Sequence, residues 1–284
     1  MPKVAIIGGS GLYNLEIKDR KSVKVETPYG DPSEEIVVGE FGGVEAAFLA
    51  RHGRYHTITP GEINFRANAW ALVSLGVERV ISISAVGGMK EENAPGVLVF
   101  PDNFIDNTRT RKKSFYHDGV VGHISLATPV CPEMREHLYQ AGKSRGCEVR
   151  NGGTYICIEG PNFSTKAESQ VYRGWGVDVV GMTNVPEVNV CREAGMCYAT
   201  IACVTDYDCW REEDEDVSIE DILRTLRNNV EKATNIVADT ISKIAAAPKC
   251  KCLGISKQAP LTPFDKFPEQ RKKDLAPIIR RLKG

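Results

Sequence analysis

The residues with the widest chemical range are Asp206 and Asp208, which follow the apolar run 199–204 within Thr205-Asp206-Tyr207-Asp208. Three readings are open. They are solvated turn residues, or they hold a metal, although no histidine or further carboxylate stands in the segment at metal-ligand spacing. Alternatively they read a purine, one carboxyl group near N7 and the other near an exocyclic amine, which matches the hydrogen-bond pattern of adenine. A second constellation, Arg51-His52-Gly53-Arg54-Tyr55-His56, puts two arginines and two histidines into six residues after another apolar run. An arginine at a strand end can grip phosphate bidentately and a neighbouring histidine can donate a further hydrogen bond. We place that reading ahead of a surface arginine paired with Asp or Glu. A third segment, Gly8-Gly9-Ser10-Gly11, is not a dinucleotide fingerprint, because the third glycine position counted from Gly9 and Gly11 is Asn14. It also lacks the Gly-Lys-Ser/Thr of a P-loop. What remains is either a backbone nest with the Ser10 hydroxyl, enough for one phosphate, or a glycine turn without a ligand.

These groups need a frame. Apolar runs at 4–8, 36–39, 46–50, 80–84, 155–158, 177–180 and 199–204 read as strands. Helical spacing predicts helices over 64–76, 132–146 and 185–195, the second with Pro132 at its start and Gly146 at its end. The longest helix opens at Ser218, with Asp221 as its capping-box partner, and runs towards Ile244. Alternation of the two kinds of element gives an α/β fold: one domain, a mixed central β-sheet, and helices on both faces. In such sheets ligands gather at the carboxyl ends of the strands, where the three constellations lie together with Ser84-Ala85 and Met182-Thr183. Residues 1–248 form the expected domain. Residues 249–284 carry ten Lys/Arg against three Asp/Glu and read as a basic appendage, a solvated tail with at most one helix.

Composition narrows the classes. Lysine plus arginine (36) nearly cancels aspartate plus glutamate (37), and a net charge of −1 gives no basic field for a nucleic-acid backbone. No apolar run reaches the roughly 18–20 residues of a membrane span. The N-terminus enters a strand pattern at once without a signal peptide's cleavage region, so the expectation is a cytoplasmic protein with no membrane or nucleic-acid partner. The nine cysteines include no paired C-x-x-C knuckles, so structural zinc is not expected; Cys250-Lys251-Cys252 reads as two solvated thiols in a mesophile's cytosol or as disulfide cysteines in a hyperthermophile, and the sequence alone does not choose.

Taken in order, Gly8-Gly9-Ser10-Gly11-Leu12, Arg51-His52-Gly53-Arg54-Tyr55-His56, Ile63-Asn64-Phe65-Arg66-Ala67-Asn68, Glu159-Gly160-Pro161, Met182-Thr183 and Thr205-Asp206-Tyr207-Asp208 resemble the trimeric nucleoside phosphorylases, nearest to their methylthioadenosine-cleaving branch. The likeness runs from about residue 3 to 245, and Asn162 departs from it where relatives usually have Arg. It implies phosphorolysis of S-methyl-5′-thioadenosine to adenine and 5-methylthioribose 1-phosphate, a step of purine and methionine salvage. Inorganic phosphate would be co-substrate, with no cofactor and no metal. A purine nucleoside or methylthioinosine phosphorylase is the alternative, and a non-catalytic binder of the same fold is a third class.

The resemblance also implies roles. Phosphate falls to Ser10, Arg51, His52, Ser84, Ala85 and Thr183; Met182 meets the ribose and Phe163 the base; Asp206 and Asp208 face the purine edge, with Asp206 as the catalytic acid. The 5′ pocket falls to Ser164, to Ile219, Ile222 and Leu223 at i, i+3 and i+4 on the last long helix, and to His123 reaching into a neighbouring subunit of a homotrimer or hexamer. Relatives acting on 6-oxopurines have histidine where Ile219 stands, and an apolar wall suits a methylthio group while leaving a 5′-hydroxyl unpaired. Likeness to archaeal members with a C-x-C tail further implies disulfides, Cys131 with Cys197 and Cys191 with Cys250 or Cys252.

Overall fold

Successive side chains of the first strand enter two different cores, which places that strand at the centre of the molecule. Val4 and Ile6 pack into one apolar cluster, Ala5 and Ile7 into the other, and all four are almost fully buried. A strand covered on both faces needs a continuous apolar run, which is what the sequence provides. The computed structural model describes residues 1–9, 16–211, 219–248 and 250–284, without the side chains of Ile219, Asp221 and Ile222.

In chain order the elements are β1 (Val4–Gly8), β2 (Lys18–Val23), β3 (Ile36–Phe41), β4 (Val44–Ala50), α1 (Phe65–Ser74), β5 (Arg79–Gly88), β6 (Leu98–Phe100) and β7 (Asn103–Asn107). There follow α2 (Pro132–Ser144), β8 (Val149–Asn151), β9 (Thr154–Ile158), α3 (Lys166–Gly174), β10 (Val179–Gly181), α4 (Asn184–Glu193) and β11 (Cys197–Tyr207). Four helices close the chain: α5 (Ile219–Ala246), α6 (Lys251–Lys257), α7 (Glu269–Asp274) and α8 (Ala276–Lys283).

The sheet is mixed, as expected. β4, β1, β5 and β11 run parallel side by side, and the antiparallel pairs β3–β4 and β2–β3 extend one edge. β5 is long enough to serve three neighbours: β11 follows its whole length on one side, while on the other β1 pairs with its first half and Gly87 and Gly88 pair antiparallel with β10, which continues through β9 to β7. α1, α4 and α8 cover one face and α2 and α5 the other. In α5, Ala233, Ile236, Val237, Thr240, Ile241 and Ile244 are buried, the spacing of one helical face. α1 starts where the Asn64 side chain accepts from Ala67 N–H, and its exit turns through Gly76 at φ +88°.

Three departures from expectation bear most on the fold. β2 was not anticipated, because Lys-Asp-Arg-Lys-Ser-Val is polar; it lies exposed at the sheet edge, where backbone pairing alone makes the strand. Residues 250–284 are not a solvated tail: Leu253, Phe267, Leu275, Ile278 and Leu282 are buried in the core beside α1 and α4, and Trp70 Nε1 donates to Asp274 O at 2.6 Å. The positive charge of the segment hid an apolar face at helical spacing. Finally, all nine cysteines are free, and Cys191 is buried in the α1–α4 core, away from Cys250 and Cys252, which overturns its expected pairing with either. Cys131, Cys197, Cys250 and Cys252 instead converge as a set of four.

Candidate active site

A cavity of about 600 Å³ opens at the carboxyl ends of β4, β5, β10 and β11. Arg51 and His52, directly after β4, line one part of it; Thr205, Asp206 and Asp208, at the end of β11, line another. Ser84, Ala85, Phe163, Ser164, Met182 and Thr183, also foreseen from the sequence, line it too. Ser10 lies outside the described residues, as do the side chains of Ile219 and Ile222.

Arg51 is 1% exposed, and its fork is engaged by the protein itself. Nε and Nη2 donate to the two carboxylate oxygens of Glu187 at 3.0 and 3.1 Å, Nη1 to Ile83 O at 2.8 Å, and Nη2 to Ser82 Oγ at 2.6 Å. Burial disfavours the charge, but the Glu187 carboxylate outweighs it and holds the guanidinium more firmly protonated than usual. By donor count one Nη1 N–H remains. The expectation of a bidentate grip on phosphate is therefore corrected: the bidentate partner is Glu187, and Arg51 has a single donor and its charge to offer the cavity. Glu187 sits on α4, 136 residues away in sequence, and no local pattern pointed to it.

His52 Nδ1 lies 2.8 Å from Ile58 O, so Nδ1 carries the proton. Burial first, then the charge of Arg51, pushes its pKa down to about 4. A neutral ring with Nδ1 as donor leaves Nε2 as an acceptor, not the donor the sequence suggested. The ring stacks on His56, centroids 4.6 Å apart, and His56 lines the cavity as well. Ser84 Oγ is spent on Asn184 Oδ1 at 3.0 Å, whereas Thr183 Oγ1 is buried with no partner among the described residues.

The other end depends on an irregularity. β11 pairs with β5 in register as far as Val204, then shifts before Asp206. Such a bulge re-aims the side chain that follows it. Asp206 thereby faces the cavity with its carboxyl group held by Thr205 Oγ1 at 2.6 Å. Burial raises its pKa, the Thr205 hydroxyl works against that, and the charge of Asp208 adds to the rise. Asp208 comes close because Gly87 has no side chain: a Cβ there would stand 3.2 Å from Val180 Cγ1 and 3.4 Å from Asp208 Cβ. Asp208 N–H donates to Gly88 O, while its Oδ2 is buried without a donor among the described residues. Ser164 Oγ, on the same wall, is also unpartnered. Buried polar atoms usually have partners, so these three, Thr183 Oγ1, Ser164 Oγ and Asp208 Oδ2, mark where polar groups of a ligand would be matched.

Two expected residues do not line the cavity. Leu223 is 46% exposed; the apolar stripe of α5 meets the cavity one turn later, at Leu226, and again at Val230, both missed by stopping the stripe too early. His123 is exposed, its backbone N–H bonded to Ala259 O in the C-terminal segment, and it is apart from this chain's cavity.

Residues 3–242 match the family model described as "Phosphorylase superfamily". The chain is 48% identical over 278 residues to the S-methyl-5′-thioadenosine phosphorylase of Geobacter sulfurreducens, covering 97% of each. Among solved structures, a methylthioadenosine phosphorylase sourced from an antarctic soil metagenomic library superposes with a TM-score of 0.93 at 43% identity, covering 98% of both chains. The methylthioadenosine phosphorylase of Schistosoma mansoni in complex with adenine follows with a TM-score of 0.84 at 34% identity, covering 91% of this chain and 98% of that one. The first two likenesses include the C-terminal segment that the sequence motifs did not reach.

Proposed function

Because the chain belongs to the phosphorylase superfamily, beside the S-methyl-5′-thioadenosine phosphorylases, we propose that it is a pentosyltransferase cleaving S-methyl-5′-thioadenosine with inorganic phosphate to adenine and 5-methylthioribose 1-phosphate. The carrying observation is one cavity with Arg51 and His52 at one end and, at the other, Asp206 with a raised pKa beside an unpartnered Asp208 oxygen.

Breaking an N-glycosidic bond builds positive charge on the sugar and negative charge on the departing base. Phosphate is both the nucleophile at C1′ and the counter-charge to the sugar. Arg51, locked by Glu187, gives it a fixed positive charge, and Thr183 Oγ1 gives it a hydroxyl. Neutral His52 Nε2 accepts from the O–H of hydrogenphosphate, so the proton that leaves phosphate has a place to go. Asp206, whose pKa burial raises, is the donor to N7 as the base leaves. The proton count closes when the proton shed by hydrogenphosphate returns to Asp206 for the next turnover. Asp208 Oδ2 accepts from the exocyclic amine, which a 6-oxopurine lacks; this favours adenine over hypoxanthine as the base. The apolar wall of Leu226 and Val230 supports a methylthio group over a hydroxyl.

The reaction requires no cofactor beyond phosphate in this scheme. Exposed His123 is assigned to the 5′ pocket of a second copy in a homotrimer or hexamer, and the cytoplasm is the proposed compartment. No described helix is long and apolar enough to cross a membrane. Release of the free base, adenine from methylthioadenosine and adenosine and hypoxanthine from inosine, each with and without phosphate, tests the reading. Phosphate-dependent release with methylthioadenosine preferred is expected; release indifferent to phosphate, or none, would refute it.

A further inference from the structure

Among the described residues, one group of potential metal ligands lies outside the active site and is not used by the proposed chemistry. Cys131, Cys197, Cys250 and Cys252 each direct a sulfur into a space in which all four lie within 4.8 Å of one another. We propose that these four sulfurs are the ligands of a structural zinc ion that fastens the C-terminal segment to the body of the protein.

Four sulfurs this close together can surround one tetrahedral ion. With Zn–S near 2.3 Å, ligand sulfurs stand about 3.8 Å apart. Here Cys131 and Cys250 are 3.9 Å apart and Cys197 and Cys250 2.9 Å. One sulfur thus faces two others at once; pairwise bridging satisfies only one of these contacts, and a central ion satisfies both. Four thiolates with no other donor select a soft tetrahedral cation, zinc before calcium or magnesium.

The frame around the cluster is fixed from three directions. Cys131 is the residue before α2, its N–H bonded to Tyr198 O at 2.7 Å, so it is tied to the start of β11 beside Cys197. Cys197 N–H is in turn bonded to Glu78 O at 2.9 Å. Arg79 Nη2 donates to Ala247 O and Pro248 O at 2.6 and 3.0 Å, holding the chain just before the C-x-C. Cys252 N–H points at Cys250 Sγ at 3.3 Å, the kind of backbone donor that supports a ligand sulfur.

Charge supplies a second, independent observation. Zinc with four thiolates carries a net charge of −2, and such a group needs a cation nearby when buried. Arg192, on α4, is fully buried, and none of its three guanidinium nitrogens has a hydrogen-bond partner among the described residues. Its positive charge acts on the Cys252 sulfur, and its carbonyl accepts from Ser256 Oγ of α6 at 2.6 Å. A fully buried, unmatched cation, joined to the Cys252 turn through Ser256, fits a neighbouring cluster whose sulfurs are anionic. On binding, four S–Zn bonds form and the thiol protons leave to solvent, so no oxidant or reductant is involved.

The test uses the full chain without an affinity tag, purified anaerobically with reductant from zinc-supplemented cells. Elemental analysis is expected to find about one zinc per chain, and X-ray absorption a shell of about four sulfurs near 2.3 Å. Cobalt exchanged into the wild-type protein should show thiolate-to-metal charge transfer, a readout that needs no variant. Cys252→Ser should lose most of the metal, whereas Cys147→Ser, outside the cluster, should keep it. Metal below about a tenth of an equivalent, with four free thiols or with Cys131–Cys197 and Cys250–Cys252 bridges found by mass spectrometry, would overturn the proposal. Iron in place of zinc would overturn the assignment of the ion.

Discussion

The two ends of the cavity are built on opposite principles. At the Arg51 end nearly every polar group is already paired: Arg51 with Glu187, Ser82 with Glu187, Ser84 with Asn184, His52 with Ile58 O. At the Asp206 end the polar groups are under-used: Asp206 is held by one hydroxyl and Asp208 Oδ2 by none of the described residues. The first end is a charged scaffold whose interactions, His52 with Ile58 apart, are long-range in sequence. The second keeps unmatched capacity for a ligand, close to the strand that carries it. Substitutions should therefore separate the ends: changes at Arg51 act on stability and on phosphate together, changes at the aspartates on turnover and base choice.

The largest effect is expected at Asp206. Asp206→Asn keeps the size and a hydrogen-bond donor but cannot deliver a proton, so turnover of methylthioadenosine should fall by roughly 10²–10⁴-fold, the range for loss of a general acid. Methylthioinosine should lose much less, because an amide matches the 6-oxo acceptor better than a carboxylate does. Both substrates measured alongside a melting curve decide it; equal losses with a lowered melting temperature would make Asp206 a turn-holding residue and erase the contrast between the ends.

Arg51→Ala comes next. Removing one partner of a buried pair leaves Glu187 uncompensated, and such breaks typically cost about 3–5 kcal/mol. Denaturant unfolding should register that loss, and the phosphate KM should rise well beyond the methylthioadenosine KM. Unchanged stability would show that Glu187 is not the anchor the geometry makes it.

His52 gives the scaffold end a pH signature. Its pKa is about 4 in the fold against 6.5 as the ordinary value. Between those values the unfolded chain binds more protons than the folded one, so stability rises with pH across the window and is lost on acidification from 6.5 towards 4. The full difference is worth about 3 kcal/mol, and bound phosphate, an anion favouring the imidazolium, should flatten it. Unfolding curves at pH 4.5 and 6.5, wild type against His52→Asn with and without phosphate, measure the contribution. Parallel behaviour of the two proteins would rule it out.

The sequence disclosed these ends unequally. Strands β1, β4, β5, β9 and β11, helices α1, α2 and α4 and the far part of α5 follow from apolar runs and period alone, because each buries a face. α3 was missed although Thr165 and Glu168 form a capping box that the sequence spells out; its helix is polar and only Ser169 and Tyr172 are buried. Both aspartates, Arg51 and His52 stood out as residue types at strand ends. Glu187 did not, since a carboxylate inside a helix has no local mark of its partner 136 residues earlier. The four-sulfur cluster was legible only in part: the resemblance put Cys131 with Cys197, but it sent Cys250 or Cys252 to Cys191, and only the fold joins the three distant segments.

The smallest and most diagnostic effect is expected at Asp208, where stability and function should move apart. Its Oδ2 is buried without a donor among the described residues, and an unmatched buried acceptor costs about 1–3 kcal/mol. Asp208→Ala removes that group and relieves the repulsion that helps raise the Asp206 pKa. The free protein should therefore be as stable as wild type or more so. Binding should suffer instead, because the adenine amine loses its acceptor: kcat/KM for methylthioadenosine should drop by roughly 5–150-fold, the kinetic equivalent of about 1–3 kcal/mol. Since Asp206 then titrates lower, the basic limb of the pH–rate profile should shift to lower pH as well. A 6-oxo nucleoside, with no amine to present, should lose little. If Asp208→Ala instead melts earlier and both bases suffer alike, Asp208 braces the bulge of β11, and the two ends of the cavity would not differ in kind.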